Sequence, residues 1–132
     1  MTRKDARELT MQIIFQMEAQ NDFDQSNFEK YISDKKILNQ RDYIQSVFDI
    51  ICTKHEEIDS KINKYSTVWQ TGRMPKADLA ITRLSVAEII FLDDVPTSVS
   101  INEAVNLAKT YGTNESSKYI NAILGKVEKD NE

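Results

Sequence analysis

The stretch of residues 96–127 constrains the fold most, because it encodes two helices whose beginnings and ends are both marked. Ser100 and Glu103 have the S-x-x-E spacing of a capping box, in which each side chain satisfies a free N–H at a helix start. Gly112 is the residue type that takes a positive φ at a helix C-terminus, and Ser116 opens the second helix. Apolar side chains recur at helical spacing in both helices, at Ile101, Ala104, Val105 and Ala108 and then at Tyr119, Ile120, Ile123, Leu124 and Val127. The loop 112–115 is so short that the helices must pack side by side, and we expect the first to be the buried centre of the fold.

Helical periodicity predicts five more helices ahead of this pair, with Thr2 as the cap of the first and Ser26 with Glu29 as a second capping box. Their predicted ranges are 2–19, 26–36, 40–53, 57–65 and 75–92, and the break between the third and the fourth is placed near Lys54. Ser, Thr, Gly and Pro cluster at 66–75, which indicates a joint, and Trp69 is expected to anchor that joint in the core. We therefore predict an all-α protein: a compact bundle of about seven helices in one domain, with three-helix-type subdomains at about 1–66 and 76–132.

Composition agrees with a helical protein and narrows the classes of function. Three Gly and two Pro in 132 residues favour helices over a turn-rich β fold. The single Cys52 excludes an internal disulfide, and no apolar run approaches the ~20 residues of a membrane span, so we expect a cytoplasmic protein without a membrane partner. The net charge of −4 is the wrong sign for gripping nucleic acid by charge alone, so RNA binding would require a local basic patch.

No arrangement of residues typical of catalysis occurs in the chain. It has no Gly-rich phosphate loop, no H-E-x-x-H and no persuasive Ser/His/Asp order, so we predict that it is not an enzyme. The lone His55 has no Cys or His cluster around it, which argues against a metal site, and no cofactor is expected.

The first helix carries the best candidate for a basic patch. Arg3 and Arg7 are four residues apart and project from one face beside Lys4, where they could hold phosphates. Because Asp5 and Glu8 interleave with them, the residues alone favour an ordinary solvated helix start. Phe15 suits either stacking on an unpaired base or packing in the core.

Three separated blocks of the chain resemble the NusB family, the bacterial transcription antitermination factors. They are ARELTMQIIF near the start, WQTGRMPKADLAITRLSVAEI in the middle, and VSINEAVNLAKTYG with SSKYINAILGKV near the end. The blocks occur in the order of the family, and the resemblance is weakest over 21–65. It implies an RNA-binding factor that recognises the boxA element of nascent rRNA transcripts jointly with NusE, a small-subunit ribosomal protein. NusA, NusG and RNA polymerase would complete the antitermination complex, and a homodimer is possible.

The resemblance also implies which residues carry these roles. Residues of the RNA-facing surface would be Arg3, Lys4, Arg7, Gln12, Phe15, Glu115, Lys118, Tyr119 and Asn121, and the arginines and Tyr119 would border one surface. Asp78, expected to be exposed, matches an acidic position associated with the ribosomal-protein partner, and Arg83 and Glu88, on the same helix, would be partner contacts with it. For Arg83 we favour a structural ion pair instead. Two alternatives stay open: a helical protein–protein scaffold without RNA binding, and a targeting module for an rRNA-modifying enzyme.

Overall fold

A computed structural model of the chain, which describes residues 1–33 and 36–132, is all-helical. The described residues form six α-helices and two short 3₁₀ turns and contain no strand. The α-helices are α1 Arg3–Gln20, α2 Phe28–Ile32, α3 Arg41–Tyr65, α4 Lys76–Phe91, α5 Thr97–Tyr111 and α6 Ser116–Asp130. The predicted fold class is therefore confirmed. The second helix was predicted to run to about residue 36. Residues 34 and 35, near that predicted end, lie outside the described residues.

The buried centre of the fold is α4, not α5 as the sequence suggested. Twelve of the sixteen residues of α4 are buried, and the helix packs against α1, α3, α5 and α6. By contrast, α5 buries only Ser100, Ala104 and Ala108. A helix that is apolar around most of its circumference needs neighbours on every side, whereas the polar flanks of α5 keep that helix at the surface.

The third helix is continuous, which is why the count is six rather than seven. α3 runs for 25 residues through the predicted break near Lys54. Ile51, Ile58 and Ile62 extend one fully buried stripe along it, and the helix contains no Gly or Pro that would interrupt its hydrogen bonds.

Neither predicted capping box forms, whereas the predicted Thr2 cap does. Thr2 caps α1 reciprocally with Asp5, as the sequence predicted for Thr2. The boxes predicted at Ser100 and Ser26 are wrong. Ser100 lies inside α5 and donates its hydroxyl to Glu88 on α4, and the backbone N–H of Ser26 donates to the side chain of Asp24.

Gly112 is needed for a different reason from the one predicted. Its φ is −101°, so it does not adopt the left-handed conformation. A Cβ atom at this position would lie 2.5 Å from Oγ of Ser116, so a larger residue could not be accommodated without displacing the start of α6. The glycine allows the α5–α6 connection to turn tightly against that serine.

The joint before α4 is anchored by Met74 rather than by Trp69. The Met74 side chain is 1% exposed, whereas Trp69 is 38% exposed. The prediction that Trp69 anchors the joint is therefore wrong. The buried apolar side chains of α1 to α6 join in one hydrophobic cluster across the joint. The division into subdomains at about 1–66 and 76–132 stays a prediction.

Candidate functional site

One side of α1 presents polar and aromatic groups to solvent. Arg3, Lys4, Gln12 and Phe15 are all exposed, and Phe15 keeps 40% of its surface accessible. At about 100° per residue, Lys4, Gln12 and Phe15 fall within a sector of about 80°, whereas Arg3 lies about 100° from Lys4 and donates to Gln40 before α3. Gln12 donates from Nε2 to the hydroxyl of Tyr111 at 3.1 Å, which ties this face to the end of α5. Of the two interpretations of Phe15, its exposure favours a surface aromatic over core packing.

Arg7 differs from Arg3, because it lies inside the fold. It is 6% exposed, and its Nε and Nη2 donate to Glu88 at 2.9 and 3.2 Å. Burial alone would lower the pKa of Arg7, but the hydrogen bonds and the negative charge of Glu88 outweigh burial and raise that pKa above its usual value. The expectation that both arginines project outward is therefore wrong for Arg7, because the carboxylate beneath α1 holds its guanidinium.

Glu88 is the centre of a buried network that joins four helices. One carboxylate oxygen accepts from Nη2 of Arg7 and, at 2.7 Å, from Oγ of Ser100. The other accepts from Nε of Arg7 and from the hydroxyl of Tyr43. Burial, followed by the charge of Glu88, raises the pKa of Tyr43 far above its usual value. Glu88 was predicted as a partner contact, but at 1% exposure it contacts only α1, α3 and α5 through these bonds.

Arg83, on the same helix, forms the ion pairs that a structural interpretation requires. It is 4% exposed. Its Nε and Nη2 donate to Asp59 at 2.8 and 2.6 Å, and its Nη1 donates to Glu18 at 2.8 Å. The bidentate pair with Asp59 joins α4 to α3, and the bond to Glu18 joins it to α1.

Asp78 is buried, so the expectation that it would be exposed is wrong. It is 1% exposed, because the start of α6 covers it. Its Oδ2 accepts from Oγ of Ser116 at 2.9 Å and from the hydroxyl of Tyr119. Its Oδ1 is buried and has no hydrogen-bond partner among residues 1–33 and 36–132. Burial and the bond to Asp78 raise the pKa of Tyr119.

Asp78 forms part of the wall of a largely apolar pocket that sequence reasoning missed. The pocket has a volume of about 430 Å³ and is lined by Val68, Trp69, Pro75, Asp78, Thr113, Glu115, Lys118 and Tyr119. Val68 and Trp69 are 57% and 38% exposed at its edge. The sequence feature that could have indicated this pocket is the adjacent Val68 and Trp69 in a segment rich in turn residues. An apolar pair in such a segment can face a partner as well as the core.

A second groove lies on the other side of α6, between α5 and α6. Its volume is about 610 Å³, and Lys109, Lys118 and Asn121 are among the residues that line it. Lys118 lines both this groove and the pocket beside Asp78. Glu115, Lys118 and Asn121, all predicted to face RNA, are exposed.

The predicted arginine pair and Tyr119 do not share one small patch. Arg7 contacts Glu88 at one end of α4, and Tyr119 contacts Asp78 at the other. Asp78 and Glu88 are ten residues apart on α4, which corresponds to about 15 Å along the helix axis. Any ligand that touches both regions must therefore span that distance.

Nothing in the described part of the chain indicates a metal site. It contains no group of three or more His, Cys, Asp or Glu side chains placed to hold an ion. His55 instead stacks on Phe23 with a centroid separation of 3.9 Å, and burial, followed by the charge of Asp49, raises the pKa of Cys52 to about 12. Among the helices of residues 1–33 and 36–132, none combines the length and the apolar character that a membrane span requires.

These features define a small all-α protein with an exposed polar face on its first helix and a partly paired buried carboxylate beside an apolar pocket. The NusB family model matches residues 4–129, and the chain belongs to the NusB family.

Individual relatives and a solved structure agree with this assignment. The transcription antitermination protein NusB of Alkaliphilus oremlandii is 46% identical over 127 residues, which cover 96% of this chain and 92% of the relative. The protein of the same name from Acetivibrio thermocellus is 42% identical over 130 residues, covering 98% and 90%. The structure of T. maritima NusB superimposes with a TM-score of 0.86 at 29% identity and covers 98% of this chain and 92% of that one.

Proposed function

We propose that this chain is a transcription antitermination factor that binds the boxA element of nascent rRNA transcripts jointly with the ribosomal protein NusE. With NusA, NusG and RNA polymerase, that complex would keep the polymerase transcribing. Relatives named as transcription antitermination proteins support the general role. The observation that carries the RNA-binding part is the exposure of four side chains of α1. Arg3 and Lys4 offer cationic donors to solvent, Gln12 offers an amide, and Phe15 offers an aromatic ring.

The RNA would contact α1 first and then the start of α6. Arg3 and Lys4 would bind phosphates, and Phe15 would stack on a base, since single-stranded RNA is held by such combinations of charge and aromatic rings. Lys118 and Asn121 would contact the next nucleotides, and Tyr119 would offer the edge of its half-buried ring. Arg7 would not contact the RNA, because its charge is neutralised by Glu88. Its role would be to stabilise the helix that presents Arg3.

The ribosomal-protein partner would dock at the pocket beside Asp78. Val68 and Trp69 expose apolar surface there, and large aromatic side chains are typical anchors of protein interfaces. Asp78 is 1% exposed and its Oδ1 is buried, so a basic side chain of the partner that enters the pocket would be attracted by the negative charge of this carboxylate rather than hydrogen-bond to Oδ1 directly. That attraction would be strong, because the pocket excludes water once the partner covers it. The partner would also supply the positive charge that a chain of net charge −4 lacks.

The experiment is a titration of fluorescently labelled boxA RNA, followed by anisotropy, with this chain alone and with an equimolar amount of its own NusE. We expect the mixture to bind boxA more tightly than either protein, and more tightly than it binds a scrambled RNA of equal length. The affinity should fall as salt rises, because phosphate contacts release counterions. Equal affinity for boxA and scrambled RNA, or no gain with NusE, would contradict the proposal.

A protein–protein scaffold without RNA binding is the second candidate. It is favoured by the neutralised Arg7 and by the acidic net charge, which together leave few free cations on α1. The same titration separates the two functions. A scaffold would bind NusE, for example in a calorimetric titration, and the complex would leave the RNA anisotropy unchanged.

A further inference from the structure

The start of α3 touches the one arginine on α1 that remains exposed. Nε of Arg3 donates to Oε1 of Gln40 at 2.7 Å, and the central carbon of its guanidinium lies 4.3 Å from the centre of the Tyr43 ring. Gln40 closes a 3₁₀ turn, Leu38–Gln40, that immediately precedes α3. The segment 21–65, which contains both residues, has the weakest resemblance to the family and was assigned no part of the site.

The Tyr43 ring is a fixed support. Tyr43 is 6% exposed, and its hydroxyl donates to the buried carboxylate of Glu88. The guanidinium of Arg7 lies 5.7 Å from the centre of the same ring, so the ring is held between α1 and α4 as well as by its own helix. A ring held in this way can orient a guanidinium group that stacks on it.

The two contacts use only part of the donor capacity of Arg3. Its Nε is occupied by Gln40, whereas Nη1 and Nη2 make no hydrogen bond within residues 1–33 and 36–132. Two terminal nitrogens on a plane of fixed orientation match the two oxygens of a phosphate. Asp42 and Asp94 line the shallow hollow beside Arg3, so an arginine free to rotate could turn toward these carboxylates instead.

We propose that Gln40 and Tyr43 are positioning residues that hold Arg3 as a two-pronged donor for an RNA phosphate. This inference rests on the proposed RNA-binding function. Long side chains such as Arg lose rotational freedom when they bind, and a side chain that is already oriented loses less. Lys4 has neither contact, so Arg3 makes the better oriented of the two exposed cationic contacts at this end of α1.

The test measures boxA affinity in the presence of NusE for Arg3→Ala, Gln40→Ala and the double variant. Gln40→Ala should weaken binding by about threefold to tenfold and leave the salt dependence unchanged, since the number of phosphate contacts is the same. Arg3→Ala should also lower the slope of log affinity against log salt by about 0.7. Gln40→Ala should have no further effect in the Arg3→Ala background, because Gln40 acts through Arg3. Gln25→Ala, an exposed glutamine between α1 and α2, is the matched control and should not change binding.

The ring is tested by a pair of variants that share the same lost hydroxyl. Tyr43→Phe keeps the aromatic ring, and Tyr43→Leu removes it. Once circular dichroism confirms that both variants are folded, the ratio of their boxA affinities measures the contribution of the ring. We expect Tyr43→Leu to bind about threefold or more weakly than Tyr43→Phe.

The binding results distinguish failure of the positioning role from failure of the proposed function. If Arg3→Ala weakens binding but Gln40→Ala does not, or if Gln40→Ala weakens it equally without Arg3, the positioning role is overturned and the proposed function stands. If the unaltered chain with NusE binds no boxA RNA, the proposed function fails and the inference fails with it.

Discussion

A carboxylate is buried near each end of α4, and the two carboxylates differ in their hydrogen-bond partners. Glu88 accepts four hydrogen bonds, two of them from the cation Arg7. Asp78 accepts two, both from neutral hydroxyls, and keeps one oxygen without a partner among the described residues. Both residues are 1% exposed, so burial alone does not distinguish them. We therefore expect the fully paired Glu88 to matter mainly for stability, and the partly paired Asp78, beside a pocket, to matter mainly for binding the partner.

The largest expected effect is at the fully paired end. Glu88→Ala should lower the free energy of unfolding by about 3–5 kcal/mol, because it leaves the Arg7 cation buried without its counter-charge. Urea denaturation followed by circular dichroism measures the loss, and exposed Glu57→Ala, within about 0.5 kcal/mol of wild type, is the control. A loss below about 1 kcal/mol at Glu88 would show that the network contributes little.

The next effect separates the two arginines of α1. Arg7→Ala should lower the free energy of unfolding by about 3 kcal/mol, since it breaks a buried ion pair, whereas Arg3→Ala should lower it by less than about 1 kcal/mol. The same denaturation measurement applies to both. Equal losses would contradict the distinction between a structural Arg7 and a surface Arg3.

At the other end, Trp69→Ala should weaken NusE binding by about 2 kcal/mol, or roughly thirtyfold, if Trp69 anchors the interface. Its exposure means that the melting temperature should change little. Leu38, which is 93% exposed and lies far along the chain, gives the matched control Leu38→Ala. Unchanged calorimetric affinity for NusE in Trp69→Ala would remove the pocket from the interface.

The smallest effect concerns the hydroxyl of Tyr119. Tyr119→Phe should lower the free energy of unfolding by about 1 kcal/mol, because it removes one donor from Asp78 and keeps the ring. Burial and the Asp78 bond raise the pKa of Tyr119 in the folded state, so this stabilisation is present below the unfolded pKa. It should shrink as pH rises above about 10, where the unfolded tyrosine ionises first. A difference between the two proteins that grows at alkaline pH would be evidence against the bond.

Features that depend on residues close together in the chain were predicted correctly, and features that depend on contacts between distant residues were missed. The helical spacing of apolar residues was enough for the fold class, and the Thr2 cap depends only on Asp5, three residues away. Ser100 has the same local pattern as a cap, but Glu88 on another helix takes its hydroxyl. No rule of spacing reveals that Arg7 meets a carboxylate 81 positions later, so its burial could not be predicted from α1 alone.

The same limit applies to Asp78 and Trp69. An aspartate in the first turn of a helix is usually solvated, and only the arrival of α6 buries this one. A tryptophan in a loop is usually an anchor, and here Met74 takes that place. Asp78 is buried by a helix that is distant in sequence, and Trp69 is displaced by a residue that competes for the same space. A single sequence shows neither effect.

The most direct test of the account replaces each carboxylate by its neutral isostere, Asp78→Asn and Glu88→Gln, and measures unfolding free energy and NusE affinity for both. Asp78→Asn should weaken NusE binding at least about tenfold and lower the unfolding free energy by no more than about 1 kcal/mol, since an amide oxygen can still accept from Ser116 and Tyr119. Glu88→Gln should lower the unfolding free energy by about 2 kcal/mol or more and, while folded, bind NusE within about threefold of wild type. The account is contradicted if the two variants change stability and affinity to the same extent, or if Glu88→Gln is the one that loses the partner.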